Sequence, residues 1–180
     1  MIPVFIGYDS REEMAFHVLA RSIWQRASLP VSITPLRLEQ LPMWRERHPL
    51  QSTEFSFSRF LVPYLCNYEG HAIFMDCDML CLDDIAKLWK LRDSNAVQVV
   101  KHDHNPTEST KFLNQPQTPY RRKNWSSVMI FNNPKCRALT PEYVNKATGL
   151  ELHQFAWTDE IGSLPANWNY LVRTQPASTR

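Results

Sequence analysis

The chain has 180 residues, of which 43% are hydrophobic and 21% are charged, and its formal net charge at pH 7 is +2. A chain of this length and composition is most simply one globular domain with a substantial core. The small net charge argues against a nucleic acid or an anionic membrane as partner. No apolar run approaches the roughly 20 residues that span a bilayer, so no membrane span is expected.

The chain begins with MIPVFI, which lacks the basic and long apolar regions of a signal peptide. This segment predicts a first strand over residues 2–7, and a cytoplasmic location is the resulting expectation. A capping box formed by Ser10 and Glu13 predicts a helix directly afterwards. Apolar residues recur at helical spacing beyond it, at Met14, Val18, Leu19 and Ile23.

Further elements follow in alternation. Residues 31–38 predict a second strand, and Ser52 or Thr53 is expected to cap a helix that Pro63 kinks or shortens. Residues 72–75 predict a third strand, and Asp83 or Asp84 is expected to cap a short helix. The remaining predicted elements are that helix at 85–89, strands at 96–100 and 127–131, and a helix at about 141–147.

Strands alternating with helices predict an α/β fold with a largely parallel central sheet. The domain is expected to cover residues 1–173, with a disordered tail at 174–180. A long segment, 101–124, separates the fourth and fifth strands and contains Arg121-Arg122-Lys123. Loops of this length in compact domains are usually functional or mobile. With Tyr120 and Trp125 beside it, the basic run is either a solvated charge run or a surface that faces an acceptor.

The cysteines are Cys66, Cys77, Cys81 and Cys136. They form no paired framework and are expected to stay reduced. A zinc site would combine Cys77 and Cys81 with His102 and His104, but neither pair has the spacing of structural zinc sites. Small buried hydrophobic side chains are the favoured interpretation.

The third strand ends in Asp76-Cys77-Asp78. In an extended segment residues i and i+2 point the same way, so the two carboxylates are expected to face one side together. Ligands of open α/β sheets bind at the carboxyl ends of the strands. Two carboxylates there repel each other unless a cation or a proton neutralises them. A magnesium-type ion that also binds phosphate oxygens fits this arrangement, and the alternative is that both acids only begin a turn.

Several motifs, in order, are similar to those of the nucleotide-sugar glycosyltransferases of family 8, which includes glycogenin and the bacterial lipopolysaccharide galactosyltransferases. They are IGYD (6–9), SRFLVP (58–63), AIFMDCDML (72–80), DDI (83–85) with LW (88–89), SSVMIFN (126–132), DE (159–160), and LP (164–165) with WN (168–169). The resemblance implies a GT-A fold, with a Rossmann-like, mostly parallel sheet flanked by helices in a single domain.

The resemblance also implies transfer of a sugar, with retention of configuration, from a nucleotide-sugar donor. The donor is expected to be a UDP-sugar, the cofactor Mn²⁺ or Mg²⁺, and the acceptor an unknown saccharide, lipid-saccharide or protein. Carried over by position, Asp76 would touch ribose and metal, and Asp78 would bind the metal. Tyr8 and Asp9 would hold the base and ribose of the donor. Arg59 would lie beside the donor diphosphate or sugar, and Asp159 would lie near the transferred sugar.

This chain departs from the family pattern in two places. Trp125-Ser126-Ser127 stands where the family has Asn-Ser/Ala-Gly, so Asn124 would have to supply the amide. The family's C-terminal metal-binding histidine and its Gly- and Lys-containing segment have no counterpart, since no histidine follows His153. Either His153 serves in a rearranged site, water completes the metal shell, or the chain is a shortened form.

Two other functions fit parts of the sequence. A haloacid-dehalogenase phosphohydrolase also has a strand ending in Asp-x-Asp, but here Met79-Leu80 replaces the small residues that follow in that class. A non-catalytic nucleotide-sugar-binding protein, or a degenerate transferase, would keep the same motifs without activity.

Overall fold

The computed structural model describes residues 1–47, 51–102 and 122–172. The strands within these ranges are β1 (Ile2–Gly7), β2 (Val31–Leu36), β3 (His71–Met75), β4 (Val97–Val99), β5 (Val128–Asn132) and β6 (Ile161–Ser163). The α-helices are α1 (Glu13–Arg26), α2 (Val62–Leu65), α3 (Ile85–Lys90), α4 (Pro141–Lys146) and α5 (Gly149–His153). The tail predicted at 174–180 lies outside the described residues.

The strands form one six-stranded sheet in the order β2-β1-β3-β5-β4-β6. β1 pairs in parallel with β2 and β3, β4 pairs in parallel with β6, and β5 is antiparallel to both of its neighbours. Five strands therefore run one way, which confirms the predicted α/β fold with a mostly parallel sheet. The carboxyl ends of β1, β3 and β4 meet at one edge, together with the beginning of β5. We call this the carboxyl edge.

The centre of the sheet is buried on both faces. In β3 all residues from Ala72 to Met75 are at most 2% exposed, and in β5 the same holds from Val128 to Phe131. A continuous apolar run is what a strand covered on both sides requires. The short apolar segments at these positions were therefore sufficient to predict both strands.

The predicted capping box at the start of the first helix is wrong. Asp9 instead caps a 3-10 turn, Ser10–Glu12, by accepting a hydrogen bond from the Arg11 N–H. α1 follows at Glu13 without a side-chain cap. The additional turn moves the start of the helix, because a carboxylate that is already buried at the strand end satisfies the first backbone donors.

The segment predicted as one helix from Ser52 or Thr53 is divided into three pieces. Two 3-10 turns, Glu54–Ser56 and Ser58–Leu61, precede α2. Thr53 caps the first turn through a reciprocal pair of hydrogen bonds with Ser56. Pro63 lies in the first turn of α2, where its missing N–H leaves no backbone bond unmade.

The remaining predicted elements are confirmed within one or two residues at each end. Of the two candidate caps, Asp84 accepts from the Ala86 N–H at 2.9 Å and begins α3, whereas Asp83 pairs with Lys87 on the surface. α5 and β6 were not predicted from the sequence. None of the described helices combines the length and apolar character that crossing a membrane requires.

Candidate functional site

Two carboxylates leave the sheet at the carboxyl end of β3. The Asp76 N–H donates to the Ser127 carbonyl at 2.9 Å, which fixes Asp76 beside the beginning of β5. Cys77 is fully buried, Asp78 is exposed, and 17% of the Asp76 side chain is accessible. Burial differs along this segment as expected, with Cys77 in the core, but Cys77 and Asp78 already form a turn instead of an extended continuation of β3.

Arg59 lies directly against this pair. Its Nη1 is 2.7 Å from Asp76 Oδ1 and also donates to the Ser126 carbonyl at 2.9 Å. The guanidinium lies 5.2 Å from the ring centre of Phe55 and 5.0 Å from that of Phe74. Only 7% of its side chain is exposed. Arg59 is therefore a buried cation that fixes one carboxylate of the pair.

The electrostatics of Asp76 follow from this environment. Burial raises the pKa of Asp76 to about 6, the neighbouring Asp78 carboxylate adds to the increase, and the Arg59 cation opposes it. The ionised form of Asp76 is thus only partly compensated by Arg59. A further positive charge placed between the two carboxylates would stabilise both as anions.

The donor set at this edge fits a cation that brings some of its own ligands. No group of three histidine, cysteine, aspartate or glutamate side chains in the described ranges is arranged to hold a metal ion. His153 is not grouped with Asp76 and Asp78; its Nδ1 lies 2.8 Å from Ser126 Oγ, and its ring packs on Phe60 at 5.3 Å. Two carboxylates with phosphate and water oxygens form the kind of shell that Mg²⁺ prefers.

Tyr8 extends β1 at the same edge, where the register aligns Ile6 with Met75. Its hydroxyl donates to Glu13 Oε1 at 3.0 Å, and its ring meets Phe16 edge-on at 5.8 Å. The hydrogen bond to the Glu13 carboxylate raises the pKa of Tyr8. Tyr8 is held against α1 and is only 7% exposed.

Asp9 is fully buried, and its two oxygens accept from protein donors. Oδ1 accepts from the Arg11 N–H and Nε, and Oδ2 accepts from Arg11 Nη2 at 2.6 Å and from the Glu54 N–H at 3.0 Å. Burial alone would raise the pKa of Asp9, but these hydrogen bonds outweigh it and lower the pKa to about 2. This carboxylate organises the turn after β1.

Asp159 lies away from the carboxyl edge. It precedes β6, whose first residue pairs with the first residue of β4 in a parallel ladder. The next side chain, Glu160, forms an ion pair with Lys135, which follows the far end of β5. Asp159 is therefore at the opposite end of the strands from Asp76. The fold brings together Asp76, Asp78, Arg59 and the end of β1, and it does not bring Asp159 to them.

The sequence did not predict the role of Trp125-Ser126-Ser127, which it identified only as a departure from the family pattern. Two backbone carbonyls of this turn hold Arg59 and the Asp76 N–H, as described above. Asn124 adopts a left-handed conformation with φ 64°, and its carbonyl accepts from Asn169 Nδ2 at 3.0 Å. Only the pairing of β3 with β5 places this turn beside the carboxylates, and no local pattern could have predicted that pairing.

The cysteines proposed as zinc ligands have other contacts. Cys77 Sγ lies 3.4 Å from Glu12 Oε2, and Cys81 Sγ lies 3.0 Å from the Asp83 carbonyl. Both are buried and free, in agreement with their interpretation as small hydrophobic residues. His104, Tyr120 and Arg121 lie outside the described residues.

Comparisons with known proteins agree with this geometry. Residues 13–139 match the sequence model described as Glycosyl transferase family 8. The chain is 50% identical over 177 residues to Protein CDI of Arabidopsis thaliana, and the match covers 93% of this chain and 68% of that protein.

Solved structures give a likeness of fold. The bifunctional glycosyltransferase WbbM in its apo form aligns with a TM-score of 0.64 at 14% identity, over 93% of this chain and 39% of that one. The galactosyltransferase LgtC, in complex with donor and acceptor sugar analogues, aligns with a TM-score of 0.59 at 11% identity. The alignment covers 92% of this chain and 74% of that one. The chain thus spans less than half of the first structure and about three quarters of the second.

Proposed function

The chain belongs to glycosyl transferase family 8 and has the GT-A fold predicted from its sequence, and on that premise we propose that it transfers a sugar from a nucleotide-sugar donor to an acceptor. The proposed donor is a UDP-sugar, the proposed cofactor is Mn²⁺ or Mg²⁺, and the anomeric configuration is retained. The acceptor is a saccharide, a lipid-saccharide or a protein.

One observation carries this proposal. A buried strand delivers Asp76 and Asp78 to the carboxyl edge, where Asp76 alone has a buried cation against it among the residues that the structure describes. A structural turn has no need of a pair of neighbouring carboxylates, one of which is partly desolvated. A divalent cation held by Asp76 and Asp78 would account for both charges.

In the proposed site Asp78 is the exposed metal ligand and Asp76 binds metal and ribose. When bound, Mn²⁺ or Mg²⁺ supplies positive charge that stabilises the diphosphate as it leaves. Arg59 keeps Asp76 ionised and fixed in orientation, and its charge adds to the field at the leaving group. Because Arg59 is almost completely buried, we assign it to positioning Asp76 instead of direct contact with the diphosphate.

The nucleoside would lie along the end of β1. We propose that Tyr8, which directly follows that strand, contacts the base through the small part of its side chain that stays accessible. Asp9 supports it indirectly: its oxygens already accept four hydrogen bonds, so it acts by holding the turn after β1.

A second candidate function is nucleotide-sugar binding without transfer. The observation in its favour is the place of Asp159, which stands at the opposite end of the strands from the carboxylate pair. A residue at that end of the sheet lies away from the proposed donor site at the carboxyl edge. Both candidates use the same donor site, and turnover separates them.

The experiment is a thermal-shift titration of the whole chain with UDP, with Mn²⁺, and with both. We expect a large stabilisation only when both are present, because the nucleotide must supply phosphate oxygens to the metal. Asp78→Asn should remove the metal-dependent shift. Asp83→Asn is the matched control, since this exposed aspartate pairs with Lys87 on the surface.

Two results would count against the proposal. Tight Mn²⁺ binding without nucleotide would contradict a site built from two carboxylates. An unchanged shift in Asp78→Asn would refute the assigned ligand. If the shift is as expected, release of UDP from UDP-sugars separates the transferase from the binding-only protein.

A further inference from the structure

Two basic side chains surround one tryptophan at the border of the candidate site. Lys101 Nζ lies 5.9 Å from the centre of the Trp125 ring, and the Arg122 guanidinium carbon lies 5.5 Å from it. The indole N–H donates to the His102 carbonyl at 3.0 Å, which fixes the ring. Cations at this distance from an aromatic ring are attracted by its quadrupole, so both side chains are held against Trp125.

Neither charge is neutralised by a carboxylate within the described ranges. Lys101 Nζ donates to the Ile161 carbonyl at 2.9 Å, and Arg122 Nη1 donates to the Gln154 carbonyl. Three other lysines of this chain, Lys87, Lys135 and Lys146, each form an ion pair with an acidic side chain. An anion that contacts either side chain would gain a charge–charge attraction for which no described carboxylate competes.

The position of this pair relative to the carboxylates is set by the sheet. Trp125 directly precedes the turn residues whose carbonyls hold Arg59 and the Asp76 N–H. Lys101 follows β4, which lies two strands from β3 on the side away from β1. The nucleoside side of the proposed site is at β1 and β3, so Lys101 and Arg122 border its other side, where an acceptor must approach.

We propose that Lys101 and Arg122 bind a carboxylate or phosphate group on the acceptor, so that the preferred acceptor is an anionic saccharide. This inference rests on the proposed function, because it takes the β1 side as the place of the nucleotide. Carbonyl anchors orient both cations without neutralising them, which leaves their charge available to a ligand. Trp125 supplies the rigid surface between them.

The test measures binding of two small probes to the whole chain by calorimetry, with the donor site occupied by UDP and Mn²⁺. Glucose 6-phosphate and glucuronate are the anionic probes, and glucose is the neutral one. We expect the anionic probes to bind and glucose to bind far more weakly. Their affinity should fall as salt is added, as it does for exposed charges.

The decisive variant is Lys101→Met combined with Arg122→Met. We expect it to weaken binding of the anionic probes about tenfold or more, as loss of two charge contacts requires, and to leave the affinity for UDP and Mn²⁺ unchanged. Lys101→Arg with Arg122→Lys should retain the binding. Arg137→Met is the matched control, since Arg137 also lies over an aromatic ring, 5.4 Å from the centre of Tyr68.

Three other results of these binding measurements would contradict the proposal. If the double variant loses affinity for UDP and Mn²⁺ instead, the cations serve the donor diphosphate. If glucose binds as tightly as its phosphate, the acceptor need not be anionic. If UDP and Mn²⁺ do not bind to the wild-type chain, the proposed function fails; the probes are then titrated alone, and anion binding lost in the double variant would show a basic site unrelated to transfer.

Discussion

Arg59 and Asp76 form a largely buried ion pair, with Nη1 2.7 Å from Oδ1, although they are 17 positions apart in the sequence. The pair joins the segment before α2 to the end of β3, and the same Nη1 also binds the carbonyl of Ser126 at 2.9 Å. One guanidinium therefore connects three parts of the chain at the carboxyl edge. The conformation of the candidate site and the stability of the fold depend on the same contact.

Replacing Arg59 by Met should destabilise the protein by about 3 kcal/mol, because it leaves Asp76 as a partly buried carboxylate without its cation. The measurement is urea unfolding at neutral pH. Arg137→Met is the control, and its effect on the free energy of unfolding should be small. Arg59→Met combined with Asp76→Asn should recover part of the loss. If the two single effects simply add, the ion pair does not couple these residues.

The Asp9 carboxylate should make the free energy of unfolding depend on pH in the acid range. Its pKa in the folded chain is about 2, below the ordinary 3.8, so its contribution is complete above pH 4 and is lost as the pH falls towards 2. This lowering of the Asp9 pKa corresponds to about 2 kcal/mol of folding stability at neutral pH. Asp9→Asn should be destabilised by about that amount at neutral pH and lose less stability on acidification.

The measurement for Asp9 is urea unfolding of wild type and Asp9→Asn between neutral pH and about pH 2.5. The two curves should converge as the pH decreases, whereas Glu142→Gln, which removes an exposed surface pair, should run parallel to wild type. Parallel curves for Asp9→Asn would mean that this carboxylate has the same pKa in the folded and unfolded chain.

Gly7 should not tolerate a side chain. A Cβ at this position would lie 2.4 Å from the Phe55 ring, which is itself 2% exposed and in contact with the Arg59 guanidinium. Gly7→Ala should cost about 2 kcal/mol through overpacking. Thermal unfolding measures it, and Phe55→Leu in the same chain should reduce the penalty. A Gly7→Ala variant as stable as wild type would show that the ring moves aside freely.

Asn145 should hold the segment after β2 against α4. Its Oδ1 accepts from the Trp44 and Arg45 N–H groups, and its Nδ2 donates to the carbonyls of Pro42 and Pro141. Asn145→Ala should cost about 2–3 kcal/mol, since it leaves several part-buried backbone groups unpaired.

Amide hydrogen exchange localises the effect of Asn145→Ala. Protection should be lost first at the N–H groups of Trp44 and Arg45, while β3 stays protected. Gln25→Ala, on the exposed face of α1, is the control and should change neither stability nor exchange. Unchanged protection at Trp44 and Arg45 would show that Asn145 is not their essential partner.

Local patterns were sufficient for most elements. The apolar run before Asp76 predicted β3, Cys77 was predicted to be a small buried side chain, and Asp84 was one of two predicted caps for α3. These features depend on residues that are close together in the sequence, so one amino-acid sequence is enough to predict them. The start of α1 was missed because the buried Asp9 carboxylate caps a preceding 3-10 turn, while the Ser10 hydroxyl donates to Glu54 Oε1 instead of capping the helix.

By itself, the sequence determined that this is a one-domain α/β protein with a carboxylate pair at the end of a buried strand, and its ordered motifs predicted the family. The tertiary structure decided which distant residues meet. Antiparallel insertion of β5 beside β3 brings Ser126 and Ser127 to Asp76, and the parallel pairing of β6 with β4 keeps Asp159 at the opposite end. Strand order and direction arise from long-range packing, which no local residue pattern specifies.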